Sequence, residues 1–282
     1  MMLITFAVPY ASSTASRKFI MSKTNQRKVP ATAGVHLEGG LRTGAEAEEA
    51  SRMRECFERN PDPWEKKMEN FPKYVRRQNI TRFLALYEIF KRILPVKGSI
   101  VECGVFRGFG VMSWSKFSAI MEPVNLTRRI YGFDSFSGFP SVSERDLAAA
   151  SKHVRTGDLY ADSHAELVEL IGIHDSTRFL GHVPKTQLIR GDAAQTIPKF
   201  VKANPHLLVS LLFLDFDLYE PTKVALEHFV PRMPRGGVIA FDELDNPLWP
   251  GETMAMLEHF KGRNPRLERV EFDPYVGFAV LD

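Results

Sequence analysis

The chain has 282 residues, of which 44% are hydrophobic and 25% charged, with a formal net charge of +3. That composition is ordinary for a soluble globular protein, and the charge is too small to argue for a nucleic-acid partner. Two cysteines, Cys56 and Cys103, build no disulfide scaffold, and no apolar run approaches the ~20 residues that span a bilayer.

The first residues differ from the rest. No Asp or Glu precedes Glu38, whereas Arg17, Lys18, Lys23, Arg27 and Lys28 are basic and "ASSTASRKFIMSKTNQRK" is rich in Ser and Thr. Residues 1–44 therefore read as a disordered tail, or as an upstream start with Met21 as the true beginning. The alternative is an organelle transit peptide. "LITFAVPYA" is a poor secretory signal because no basic residue precedes it. The expected location is cytoplasmic, with organelle targeting as the alternative.

Residues 45–95 are expected to form a helical extension or lid. A charged stretch from Ala45 to Arg59 predicts a surface helix, which the prolines of "NPDPW" break. "NITRFLALYEIFKRIL" (79–94) carries Phe83, Leu86, Tyr87, Phe90 and Leu94 on one helical face, with Pro95 at its end. From residue 96 to 282 strand and helix alternate. The strands are "GSIVECGVF", "RRIYGFDSF", "TQLIRGDA", "HLLVSLLFLDFD" and "GGVIAFDEL". Between or after them lie helical runs "GVMSWSKFSAIM", "AAQTIPKFVKA", "PTKVALEHFV" and "GETMAMLEHFKG", and "LERVEF" and "VGFAVLD" close the chain as two strands joined by a turn. Apolar strands covered on both faces imply an α/β fold, a doubly wound Rossmann-like sheet that is mostly parallel and seven-stranded, with helices on both faces. The polar segment 141–183, with a helix candidate in "SHAELVELIG", reads as an inserted lid or substrate-binding element.

Ligands of open α/β sheets bind at the carboxyl ends of the strands. There the first strand offers "VECGVFRGFG", with Glu102, Gly104, Gly108 and Gly110; the second offers Asp134 and Ser135; the third offers Asp192. An acid suited to ribose hydroxyls beside a glycine turn suggests a nucleoside pocket. The G-x-x-x-G-x-G spacing departs from the dinucleotide fingerprint, and Asp134 lies beyond the ~20 residues expected for NAD. A turn opening on E-x-G suits S-adenosylmethionine better, with Glu102 or nearby backbone holding its amino-acid head.

The fourth and fifth strands end in Asp215 and Asp217, and in Asp242 and Glu243. Were those strands neighbours, four carboxylates would converge, each ionised pair repelling by about 3 kcal/mol at ~5 Å and an effective dielectric near 20. A hard divalent cation such as Mg²⁺ relieves this. The plainer reading of single members is that Asp217 caps the following helix and Glu243 faces solvent.

"VECGVFRGFG", "GFDSFSGFP", "LDFDLYEPT" and "GGVIAFDEL", in this order over about residues 75 to 262, resemble the macrocin O-methyltransferase family, metal-dependent enzymes that use S-adenosylmethionine to methylate sugar hydroxyls of natural products. The resemblance implies that Asp215, Asp242 and Glu243 bind Mg²⁺, that an acid of the Asp215/Asp217 pair is the base, and that the protein self-associates. Phe216 stands where the family has glycine and Glu243 where it has a second aspartate. The acceptor expected is a sugar or other small-molecule diol, with no membrane partner. A catechol-type O-methyltransferase and a non-catalytic S-adenosylmethionine-binding protein are the alternatives. Trp249 in "NPLWPGE" is expected either to wall the acceptor site or to lie in the core; His153, His164, His174 and His182 of the insert read as substrate contacts or scattered surface residues.

Overall fold

The computed structural model describes residues 44–147, 154–263 and 265–282. The expected tail or targeting segment, Gly44 excepted, lies outside the described residues, as does His153. Helices α1 (Gly44–Arg59), α2 (Trp64–Glu69) and α3 (Arg77–Ile93) lead into strand β1 (Ser99–Cys103). Then come α4 (Phe109–Met121), β2 (Ile130–Asp134), α5 (His164–Asp175), β3 (Thr186–Arg190), α6 (Ala193–Ala203), β4 (Val209–Leu214), α7 (Tyr219–Phe229), β5 (Val238–Phe241), α8 (Pro250–Phe260), β6 (Glu268–Arg269) and β7 (Gly277–Val280).

The seven strands form one sheet in the order β3-β2-β1-β4-β5-β7-β6. β1 to β5 are parallel, and β7 runs antiparallel to both β5 and β6. The chain moves outward from β1 to β2 and β3, then returns to place β4 on β1's other side. That reversal makes the β1/β4 exit the switch point at which such sheets open a crevice.

Alternation along the strands sorts the core onto two faces. Ile100, Leu211, Phe213, Val238, Ala240 and Phe278 pack with α3 and α4, while Val101, Leu212, Leu214, Ile239 and Phe241 pack with α6, α7 and α8. The buried stripe of α3 is Ala85, Leu86, Ile89, Phe90 and Ile93, all fully enclosed. Phe83, Tyr87 and Leu94, expected to lead that face, sit at its margin. Each of the four larger side chains contributes about 1.5–3 kcal/mol by leaving water, so α3 is a fixed wall of the sheet.

The segment 141–183 is anchored at its entry. Ser143 and Asp146 form a reciprocal capping pair, and Asp146 Oδ1 also accepts the Tyr219 amide at the start of α7 (2.6 Å). Phe139, Val154 and Leu218 make a small apolar cluster with Val142 and Trp249, whose ring lies 5.9 Å from that of Phe139.

Candidate functional site

At the β1 exit the chain turns through Gly104 (φ +96°), where a Cβ would sit 1.9 Å from the Asp215 carbonyl oxygen. Only glycine lets the two exits approach so closely. Asp134, ending β2, grips the same turn: its Oδ2 accepts the amides of Val105 (2.8 Å) and Phe106 (2.7 Å), and its Oδ1 that of Phe136 (2.6 Å). A carboxylate offers about four lone-pair sites, so a further donor can still be accepted. Ser135 Oγ donates to the Gly138 carbonyl (2.6 Å), and Asp192 Oδ1 caps α6 through the Ala194 amide (3.0 Å). Gly108 turns with φ +84° against the Leu167 side chain.

Glu102 is placed differently from the sequence expectation. It shares a strand face with Ile100, so it points into the core under α4, 2% exposed, and accepts Trp114 Nε1–H at 2.6 Å. A Cβ on Gly110 would meet its carboxylate, which therefore buttresses the turn from beneath. Burial, against the pull of Trp114, pushes its carboxyl up to about 8.

The acids of the fourth and fifth strands lie just past the sheet. β4 ends at Leu214, so Asp215 and Asp217 belong to the exit loop and do not share a strand face. The Asp215 amide still donates to Cys103 O (2.8 Å) and the Asp242 amide to Leu214 O (2.9 Å). Parity places Asp215 with Leu211 and Phe213, and Asp242 with Val238 and Ala240; both thus face the side that α3 covers. From α3, Arg82 reaches between them. Its Nη1 donates to Asp242 Oδ1 and its Nη2 to Asp215 Oδ2 (3.3 Å), while the guanidinium lies 5.4 Å from the Phe213 ring centre. Burial works against the Arg82 charge, but Asp242 and Asp215 outweigh it and hold its pKa above the ordinary arginine value.

Asp217 occupies the left-handed region (φ +62°), is 8% exposed and does not cap α7, whose N-cap is Leu218. Burial, then the charges of Glu243 and Glu252, raises its carboxyl well above the usual range. Asp215 is raised as well, by burial and then by Asp242, with Arg82 pulling the other way. Glu243 lies close enough to Asp217 to raise it, and its Oε2 accepts the Asn246 side-chain amide.

Sequence reasoning missed two members. Glu252, fully buried in the first turn of α8, accepts the amides of Phe216 (2.9 Å) and Asp217 (3.2 Å) on Oε1 and that of Glu243 (3.2 Å) on Oε2. Burial and then Asp242 push it up to about 8. Arg82 had a readable signal: with Leu86, Ile89 and Ile93 it continues one helical stripe, so a cation lies on an otherwise apolar face.

Do these residues fit a divalent cation? Among the described residues, no three His, Cys, Asp or Glu side chains are spaced as a finished metal site. The donor chemistry does fit. Asp215, Asp217, Asp242, Glu243 and Glu252 set five carboxylates against one guanidinium, and all offer the hard oxygens that Mg²⁺ prefers. Two of the expected ligands, Asp215 and Asp242, already converge on one cationic group.

Comparison with known proteins agrees with this architecture. A family profile described as Macrocin-O-methyltransferase (TylF) matches residues 77–268. A curated relative from Streptomyces olivaceus, 8-demethyl-8-(2,3-dimethoxy-alpha-L-rhamnosyl)-tetracenomycin-C 4'-O-methyltransferase, is 29% identical over 160 residues, 52% of this chain and 53% of its own. The match thus spans about half the length of that relative. Among solved structures, the calicheamicin methyltransferase CalS11 superposes with a TM-score of 0.80 at 33% identity, covering 85% of this chain and 93% of CalS11. Apo CalS11, described as a TDP-rhamnose 3'-O-methyltransferase, gives 0.73 at 32% identity over 85% and 95%. The O-methyltransferase NovP shares the fold, with a TM-score of 0.56 at 20% identity over 72% and 80%.

Proposed function

The chain belongs to the macrocin O-methyltransferase family, and on that premise we propose that it transfers a methyl group from S-adenosylmethionine to a hydroxyl of a sugar-containing small molecule. The observation that carries the reading is the meeting of two differently built exits at the switch point. On one side Gly104, Gly108, Asp134, Ser135 and Asp192 form a glycine turn and a row of oxygen acceptors suited to a nucleoside. On the other Asp215, Asp217 and Asp242 form a cluster of largely enclosed carboxyl groups suited to accept the proton of a hydroxyl nucleophile. The sugar class of acceptor follows from what CalS11 and the tetracenomycin relative are described as methylating.

The transfer is an in-line displacement. The acceptor oxygen attacks the methyl carbon, the carbon–sulfur bond breaks with its electron pair, and S-adenosylhomocysteine leaves neutral at sulfur. Alignment of oxygen, carbon and sulfur supplies much of the rate. The hydroxyl proton goes to a carboxylate, and Asp217 is the better placed of the pair because Arg82 engages Asp215. A carboxylate whose pKa is lifted by burial is a stronger base than one in water. The Asp134 carboxylate fixes the turn and retains acceptor capacity for ribose hydroxyls. Glu102 acts from beneath the turn. Asp215, Asp242 and Glu243 would hold Mg²⁺, which supplies, when bound, a lowered pKa for the coordinated hydroxyl.

The test is methyl transfer from labelled S-adenosylmethionine to a panel of nucleotide-linked deoxysugars, with a catechol as comparison, before and after EDTA. Transfer to a sugar that EDTA abolishes and Mg²⁺ restores supports the whole reading. Full rate in EDTA removes the cation, and transfer to the catechol alone removes the sugar.

A further inference from the structure

We infer that Glu252 is a positioning residue: one buried carboxylate that ties the Asp215–Asp217 turn to the Asp242–Glu243 turn and sets the spacing of the site's acids. The inference rests on the proposed function for what that spacing is used for, but its geometry stands independently.

The two turns leave neighbouring strands whose last paired residues are Leu214 and Phe241. One ladder bond goes further, from the Asp242 amide to Leu214 O, and Arg82 bridges the Asp215 and Asp242 side chains. Glu252 links the main chains of the two turns beyond that point. Its Oε1 accepts two consecutive amides of one turn, Phe216 and Asp217, and its Oε2 accepts the Glu243 amide of the other. The three bonds run to main-chain N–H groups next to the functional acids, so they fix where those side chains start. They also support the left-handed conformation of Asp217, which a side-chain-bearing residue adopts only under constraint.

The carboxylate is itself held. Gly251 has no room for a Cβ, which would lie 2.4 Å from the Tyr219 amide nitrogen and 2.5 Å from Asp146 Oδ1. The start of α8 is thus seated on the start of α7, where Asp146 of the insert is also bound. Asp146, Gly251 and Glu252 form a continuous path from the entry of the insert to the acids.

The test uses E252Q, which keeps size and shape but has one acceptor oxygen, an NH₂ replacing the other, so it can hold one turn and not both. Three readouts are taken on the full chain: hydrogen exchange by mass spectrometry, S-adenosylhomocysteine affinity by calorimetry, and kcat and KM for a sugar acceptor. Exchange should rise at one of the two turns, 215–218 or 242–246, and stay unchanged in β1 and β2. Affinity for S-adenosylhomocysteine should stay within about twofold, and kcat should fall about 10–100-fold, as for other groups that orient functional ligands from outside. E252D keeps the charge on a shorter arm and should protect one turn only, which keeps the test open if E252Q does not fold. Unchanged exchange at both turns in E252Q overturns the inference, as does loss of S-adenosylhomocysteine binding in proportion to kcat. A native protein that methylates no sugar contradicts the proposed function instead, and exchange with S-adenosylhomocysteine affinity still decides on Glu252.

Discussion

Replacing Arg82 by methionine (R82M) tests whether one guanidinium holds the acid cluster together. Methionine fills most of the arginine stem's volume, so charge is the main loss. At ~4 Å and an effective dielectric near 20, each pair with Asp215 and Asp242 is worth about 4 kcal/mol before desolvation. Breaking a buried pair costs about 3–5 kcal/mol. Arg82 is 22% exposed, Asp215 30% and Asp242 15%, and water screening lowers the expected loss to about 2–3 kcal/mol. For a domain of this size that is a fall of about 5–10 °C in melting temperature. The pH dependence has a definite sign. Without the guanidinium Asp215 stands beside Asp242 with no cation to offset its burial, and taking up a proton relieves it, so the deficit is largest near pH 8 and shrinks toward pH 5. Added Mg²⁺ should narrow it too, since a cation bound only by the folded state stabilises that state. The assay is thermal melting of native protein and R82M at both pH values, with and without Mg²⁺. An R82M that melts within ~1 °C of native throughout refutes the reasoning.

Two further predictions concern the first and second strands. Glu102 keeps its proton up to about pH 8 in the folded protein against an ordinary value of 4.5, so the folded state binds the extra proton and stability falls as pH rises between those limits, then levels off. E102Q, which can still accept from Trp114, should flatten that slope by up to ~1.4 kcal/mol per pH unit in urea titrations; parallel profiles for both proteins would contradict it. D134A releases the amides of Val105, Phe106 and Phe136 and should weaken S-adenosylhomocysteine binding at least ~10-fold by calorimetry, three hydrogen bonds being lost. Native affinity in D134A would place the nucleoside elsewhere.

How much of this was readable beforehand depends on the range of the signal. The alternation of apolar strands with amphipathic helices is local, and it led to the seven-stranded sheet, since buried parallel strands have little else they can be. "LDFD" and "FDEL" stood at strand ends, so their convergence followed once β4 and β5 were neighbours. Period-2 parity places Glu102 with Ile100 inside the core, beneath the turn whose backbone was the other candidate for the donor's amino-acid head. β4 stops at Leu214, so Asp215 and Asp217 lie on its exit loop, and strand ends are set by partner strands that a single segment does not display. Arg82 and Glu252 were passed over for a common reason. Each makes its contacts across more than thirty residues of sequence or from another layer of the fold, and charged residues on helices are normally solvated. Only the stripe Arg82–Leu86–Ile89–Ile93 hinted otherwise.

If the exits of β1 to β3 hold the methyl donor while those of β4 and β5 activate the acceptor, D217N, which keeps the shape of the side chain and removes its basicity, separates the two. Methyl transfer to a sugar acceptor should fall by a factor of ~10²–10⁴, with S-adenosylhomocysteine affinity within about twofold of native. A D217N that transfers methyl groups at the native rate would contradict that division.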